Sequence, residues 1–245
     1  MARDIIVVGA SAGGVEALAN LVTRLPRTFP ASIFVTLHVS SESMLPEILS
    51  RAGSLPAEHV TQEAKIGKGR IYVASPDRHL VFGRGLVKAW RGPRENGHRP
   101  AIDPLFRTAA EVYCGRVVGV LLSGSGDDGT MGLTCVKQAG GVAIVQDPLE
   151  ALHPRMPRSA LENVEVDACL PVREMVPLLE RLAVDSGELE CSSKEPPMRD
   201  ELRIQKDKAS QARGERTDTS SVLTCPDCGG VLWELENGGP RPLPG

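Results

Sequence analysis

Aromatic side chains make up only 3% of this sequence, leaving few flat faces on which unpaired bases could stack, so single-stranded nucleic acid is excluded as a natural ligand. Neither sign of charge is in excess. Lys and Arg number 28 against 31 Asp and Glu, for a net charge of -3, so a charged partner must be met by a local patch rather than by the field of the whole molecule. Long apolar runs are missing too. The stretch Ile5 to Ala10 is too short for a secretory signal core or a membrane span, which predicts a cytoplasmic protein with no direct membrane insertion. Cys114, Cys135, Cys169 and Cys191 are scattered, three of them in apolar stretches where reduced cysteines commonly sit, so no disulfide framework is expected. His59, His79, His98 and His153 lack metal-ligand spacing and are assigned surface or hydrogen-bonding roles, with His79 and His153 placed near a substrate groove. No cofactor and no metal is expected.

What the chain does contain is an apolar content of 41% over 245 residues, enough for one full-sized domain. Its pattern alternates. Strands are expected near 4–9 and 31–38, with helices over 13–25 and 43–52 and a shorter extended region over 57–62. Val15, Leu18, Val22 and Leu25 fall on one face of the first helix. After Arg70 come short extended runs at 71–74, 80–82 and 86–90, the last two split by Gly83-Arg84-Gly85 as an antiparallel hairpin inserted in the series. A polar loop from Arg91 to Pro100 precedes a helix over 103–113. The unbroken apolar run from Val117 to Leu122 reads as the central strand of a buried parallel sheet. Helices at 130–139, 157–163 and 173–183 and strands at 142–146 and 168–170 complete the expectation, an α/β fold of three layers, doubly wound, on a mainly parallel sheet. Residues 1–184 form the expected domain, 185–221 a disordered charged linker and 222–245 a short tail.

Ser11 lies in Gly9-Ala10-Ser11-Ala12-Gly13, between an apolar strand and an amphipathic helix, which spells a nucleophile elbow with strained backbone at the serine. A rival reading exists. Gly9, Ser11 and Gly14 occupy the positions of the dinucleotide fingerprint GxGxxG, but its middle glycine is Ser, and the second strand ends on His38 rather than on an acid that would hold a ribose. In an open parallel sheet, functional groups gather at the carboxyl ends of strands, and three such ends carry Ser11, His38 and Asp128. Asp127 competes with Asp128. These residue types suit a relay in which histidine takes the serine proton and a carboxylate orients the imidazole. The order Ser, His, Asp departs from the Ser, Asp, His of the α/β-hydrolases, so an ordinary lipase or esterase is disfavoured.

Over about its first 184 residues the chain resembles the catalytic domain of the CheB protein-glutamate methylesterases. The resemblance rests on Gly9-Ala10-Ser11-Ala12-Gly13-Gly14, Leu37-His38, Ser75-Pro76-Asp77-Arg78-His79, Arg99 to Phe106, Gly124 to Gly129 and Met156-Pro157-Arg158-Ser159-Ala160. It implies hydrolysis of glutamate methyl esters on the signalling helices of receptors, with glutamine deamidation in some members. Ser11 then maps to the nucleophile, His38 to the base and Asp128, the acid just before the glycine, to the orienting carboxylate. The amides of Ala12 and Ser125 map to an oxyanion hole, and Met156 to the substrate side. Two positions depart from the family, Ala12 where many members carry Thr and Ser125 where they carry Met. A receiver domain is also expected to be missing, and a cognate methyltransferase or receiver protein is a possible partner beside the receptor. The alternative is a catalytically weakened binding or scaffold module.

Two features stand outside this reading. Arg84, Lys88, Arg91, Arg94 and Arg99 form a basic run that either steers an acidic helix or simply solvates a hairpin and loop. Cys225 and Cys228 are spaced as half of a zinc ribbon whose other half is absent from the sequence, so no closed site is expected within the chain.

Overall fold

The computed structural model describes residues 2–39 and 43–185 and the backbone of two strands at 220–224 and 231–233. Continuous apolar runs give the strands of one sheet, because a strand covered by helices on both faces has no polar side to present. These are β1 (Ile5–Ala10), β2 (Ser32–Leu37), β3 (Ala57–Val60), β5 (Ile71–Ala74), β8 (Val117–Leu121), β9 (Val142–Gln146) and β10 (Ala168–Leu170). Their order is β10-β9-β8-β1-β2-β5-β3, and every pairing is parallel. The centre is therefore β1, with the expected central strand, β8, beside it. The inserted hairpin is present as β6 (His79–Gly83) and β7 (Leu86–Trp90), widened by β4 (Glu63–Lys65) into a small antiparallel sheet. The strands 220–224 and 231–233, β11 and β12, form an antiparallel ribbon in a separate unit. Most of the anticipated linker, and both Cys225 and Cys228, lie outside the described residues.

Alternating side chains of the sheet serve two helical layers. Ile6, Val8 and Ala10 of β1 join a core with Leu18, Leu21 and Val22 of α1 (Gly14–Thr23), Leu49 of α2 (Leu45–Ala52) and Met175 and Leu179 of α6 (Val172–Val184). Each of these side chains larger than alanine contributes about 1.5–3 kcal/mol by leaving water. Val15 is a correction. It is 40% exposed, because the buried face of α1 runs through Ala17, Leu18, Leu21 and Val22 instead. The opposite layer holds α3 (Ile102–Tyr113), α4 (Thr130–Gln138) and α5 (Arg155–Asn163). There Phe34 of β2 stacks on Tyr72 of β5 with ring centres 5.1 Å apart and meets Phe82 of β6 edge-on at 4.5 Å, tying the small sheet to the large one.

The sulfur chemistry also departs in part from expectation. Cys135 is buried, whereas Cys169 is a free thiol but exposed and Cys114 is disulfide-bonded. Among the described residues no helix is long and apolar enough to cross a membrane.

Candidate active site

Chain direction decides where a site can form. From β1 the chain winds outward through β2 towards β5 and β3, then returns to lay β8 on the other side of β1 and winds away through β9 and β10. The loops leaving β1 and β8 consequently part in opposite directions and leave a crevice at their carboxyl ends. Ser11 follows β1 and the segment Ser123 to Gly129 follows β8. Their backbones are joined, since Ser11 N–H donates to the Ser123 carbonyl at 3.0 Å. The Ser123 hydroxyl donates to the Ala12 carbonyl at 2.9 Å and accepts from the His153 amide at 2.9 Å, drawing a third segment into the rim.

The turn after β1 is not strained where the sequence suggested. Ser11 is absent from the residues with positive φ, and the left-handed position is Gly13, with φ 72° and ψ 1°. Gly14 N–H donates to the Ser11 carbonyl at 2.9 Å, closing a four-residue turn with Gly13 at its third place. Such a turn asks for glycine there and leaves the serine in ordinary backbone geometry.

Three side chains meet at this rim. The Ser11 hydroxyl lies 3.1 Å from His38 Nδ1, and His38 Nε2 lies 2.7 Å from Asp128 Oδ2. The chemistry of the partners sets the tautomer, because a carboxylate can only accept: Nε2 carries the proton towards Asp128, and Nδ1 is free to accept from Ser11. His38 and Asp128 are 6% and 3% exposed at their side chains. Asp127, by contrast, is exposed.

Four donors converge on Asp128. Besides His38, Oδ2 accepts the Ile102 amide at 2.7 Å, while Oδ1 accepts the Asp103 amide at 3.1 Å and the Asn96 Nδ2 group at 2.8 Å. Burial works to raise its pKa, but the bonds from His38, Ile102 and Asn96 outweigh it and hold the group below the ordinary carboxylate value. Asp103 mirrors this arrangement. Its Oδ1 accepts the Gly129 and Gly132 amides at 3.0 and 2.6 Å, and its Oδ2 accepts the second Asn96 Nδ2 proton at 2.8 Å. Each carboxylate thus caps the other's helix, Asp128 sealing the start of α3 and Asp103 that of α4. Burial and the charge of Asp128 push the Asp103 carboxyl up to about 6.

The family model described as CheB methylesterase matches residues 6–179. A crystal structure of the Thermotoga maritima CheB methylesterase catalytic domain superposes with a TM-score of 0.70 at 31% identity, covering 73% of this chain and 98% of that one. The chain belongs to the CheB methylesterase family. Among relatives, a Leptospira interrogans protein named "Putative protein-glutamate methylesterase/protein-glutamine glutaminase" is 37% identical over 193 residues, 78% of this chain and 99% of its own length. An Anaeromyxobacter dehalogenans protein-glutamate methylesterase/protein-glutamine glutaminase is 37% identical over 181 residues, which span 53% of that protein.

Within this CheB-type site the other anticipated residues are distributed unevenly. Ala12 follows Ser11 and Ser125 follows Gly124, whose backbone lies close to the Ser11 side chain, and among the described residues the N–H groups of Ala12 and Ser125 have no partner. Met156 is fully buried, packed beneath Gly124 and next to the Ser11 turn. His153 is exposed and lines a cleft of about 660 Å³ with Ser125, Gly126 and Asp127. His79 is fully buried, its Nε2 donating to the Pro93 carbonyl at 2.7 Å and its Nδ1 accepting the Ala101 amide at 3.1 Å. It is a fastener for the 91–101 segment. Most of the basic run is also structural: Lys88 pairs with Glu63, and Arg91 and Arg99 both pair with Asp77. Sequence reasoning passed over Asn96 and treated His98 as peripheral, yet the His98 ring lies on that of His38 with centres 3.7 Å apart and planes 10° from parallel.

Proposed function

We propose that this protein hydrolyses glutamate methyl esters on the signalling helices of receptor proteins, releasing methanol, and deamidates glutamine at such positions. The unbroken relay from Ser11 through His38 to Asp128 at the β1/β8 crevice carries this reading. Ser11 Oγ attacks the ester carbonyl carbon as its proton passes to His38 Nδ1. The imidazolium so formed is steadied by the ionised Asp128 carboxylate at Nε2. The carbonyl oxygen takes up negative charge, and the free N–H groups of Ala12 and Ser125 receive it; one donor of this kind is worth about 10²–10³-fold in rate. Collapse of the tetrahedral species breaks the bond to the methoxy oxygen, which leaves as methanol with the proton returned from Nδ1. Water then repeats the sequence on the acyl-serine to release glutamate. With a glutamine substrate, ammonia leaves in place of methanol.

Residues 1–184 constitute the catalytic unit in this reading, with 185–221 as linker and 222–245 as appendage. The protein works in the cytoplasm, and a cognate methyltransferase or receiver protein is a further partner. Purified protein should release methanol from a methylated receptor, and Ser11→Ala should lower that rate at least 10³-fold, as loss of such a nucleophile does elsewhere. A variant as fast as the parent would overturn the assignment of the nucleophile. A parent that releases no methanol would favour a binding module instead.

A further inference from the structure

The segment Glu95-Asn96-Gly97-His98 is a tight hairpin turn. Glu95 and His98 exchange both backbone hydrogen bonds, at 3.1 and 2.8 Å, and Asn96 and Gly97 between them hold φ values of 51° and 76°. Two consecutive left-handed residues are what a type I′ turn requires, and Asn-Gly is the pair best able to supply them. The turn is fastened on several sides. Glu95 makes a two-pronged bond to Arg107 of α3 at 2.8 and 3.0 Å, Arg94 reaches the Gly97 carbonyl at 3.2 Å, and Arg99 holds the Gly92 carbonyl at 2.7 Å. From this mount, the side chains on either side of Gly97 reach the base and its carboxylate. Asn96 spends one amide proton on Asp128 Oδ1 and the other on Asp103 Oδ2, which leaves Asp128 Oδ2 turned towards His38. His98 lies flat on His38.

We propose that this turn is a positioning clamp for the general base, in which Asn96 fixes the Asp128 carboxylate and His98 fixes the plane of the His38 ring. The inference rests on the esterase reading of the same site. The imidazole moves most easily by rotation about its Cβ–Cγ bond, and the hydrogen bonds at the two ring nitrogens resist that motion only softly because they bend readily; a flat neighbour in contact with the ring face stiffens it. His98 suits the task as a neutral plate. Burial first, and His38 beside it second, lower its pKa, with Asp128 opposing and Arg94 reinforcing the shift. A neutral ring face also favours the positive charge that His38 acquires during the reaction. Asn96 bonds the carboxylates of Asp128 and Asp103 and His98 stacks on His38, so both act through the base.

Three variants test the clamp by methanol release. His98→Ala should lower kcat about 10- to 100-fold, the range expected when a catalytic group is misplaced, with KM within about twofold of the parent. His98→Phe restores a flat ring and should recover kcat to within about threefold. Asn96→Gly keeps the turn, since glycine accepts the left-handed backbone, but deletes the amide and should lower kcat by a similar 10- to 100-fold. Proton NMR supplies a second arm that needs no substrate: the His38 ring protons should be shifted upfield in the parent and in His98→Phe but not in His98→Ala. Parental kcat in His98→Ala, or His98→Phe as slow as His98→Ala, would overturn the clamp. An inactive parent with the upfield shifts intact would refute the esterase reading, and with it the catalytic role of the clamp, while upholding the contact of the His98 ring on His38.

Discussion

Single residues in this site are constrained from both sides of the sheet. Gly9, two residues before the serine, shows how closely. A β-carbon placed there would sit 2.4 Å from Ile102 Cγ2, and it is the Ile102 amide that anchors Asp128. Gly9→Ala should therefore cost about 1–3 kcal/mol of stability, as overpacking of a filled interior does, and should also slow methanol release by displacing the start of α3. Urea unfolding together with steady-state kinetics would check both; loss of stability with unchanged kcat would show that the shift does not reach Asp128. The identities of Ser11, His38 and Asp128 were legible because each ends or follows a strand. Asn96 and His98 were harder to see. Asn96-Gly97 is a strong turn signal, but no rule of sequence says which distant helix start a turn amide will meet.

At the scale of elements, strands and helices were readable because continuous apolar runs and amphipathic periods leave few alternatives. The main shifts came at boundaries and in rotation, as with α5, which begins at Arg155 rather than Pro157, and the exposed Val15 of α1. The connection of the small sheet to the site was less apparent from sequence. His79 starts β6 and holds the 91–101 segment with one donated and one accepted bond, so it must be neutral to do both. Burial lowers its pKa below the ordinary 6.5, partly opposed by the Pro93 carbonyl. A histidine with a depressed folded pKa stabilises the fold above its unfolded value and loses that contribution as pH falls through the folded one. Unfolding midpoints should accordingly drop from pH 7.5 to 5.5 more steeply in the parent than in His79→Gln, which keeps a donor and an acceptor but does not titrate. Parallel slopes would mean that another group governs this range.

For the molecule as a whole, the paired carboxylates give stability a pH dependence of opposite sign. Asp103 holds its proton to about pH 6 in the fold, but releases it near 3.9 when unfolded. Between those values the native state binds more protons, so this group's contribution falls as pH rises from about 4 to 6 and is constant above. Asp128, with its depressed value, contributes in the other direction, stabilising above the unfolded pKa and losing that as pH falls. Asp103→Asn should abolish the first effect, gaining on the order of 2 kcal/mol relative to the parent between pH 4 and 6, whatever constant offset the substitution brings. Urea titrations at unit intervals of pH would read the slope; an unchanged slope would place the titration elsewhere.

The direction of β1 carries one more consequence. Its six residues run roughly 20 Å from Ile5 to the serine turn, so a polypeptide joined ahead of Ile5 departs from the rim opposite the ester. Anything tethered there could not obstruct the crevice directly without a leash long enough to round the edge of the sheet. A fused tag or reporter at that end should leave turnover undisturbed, whereas one inserted between β8 and α4 would land in the crevice mouth.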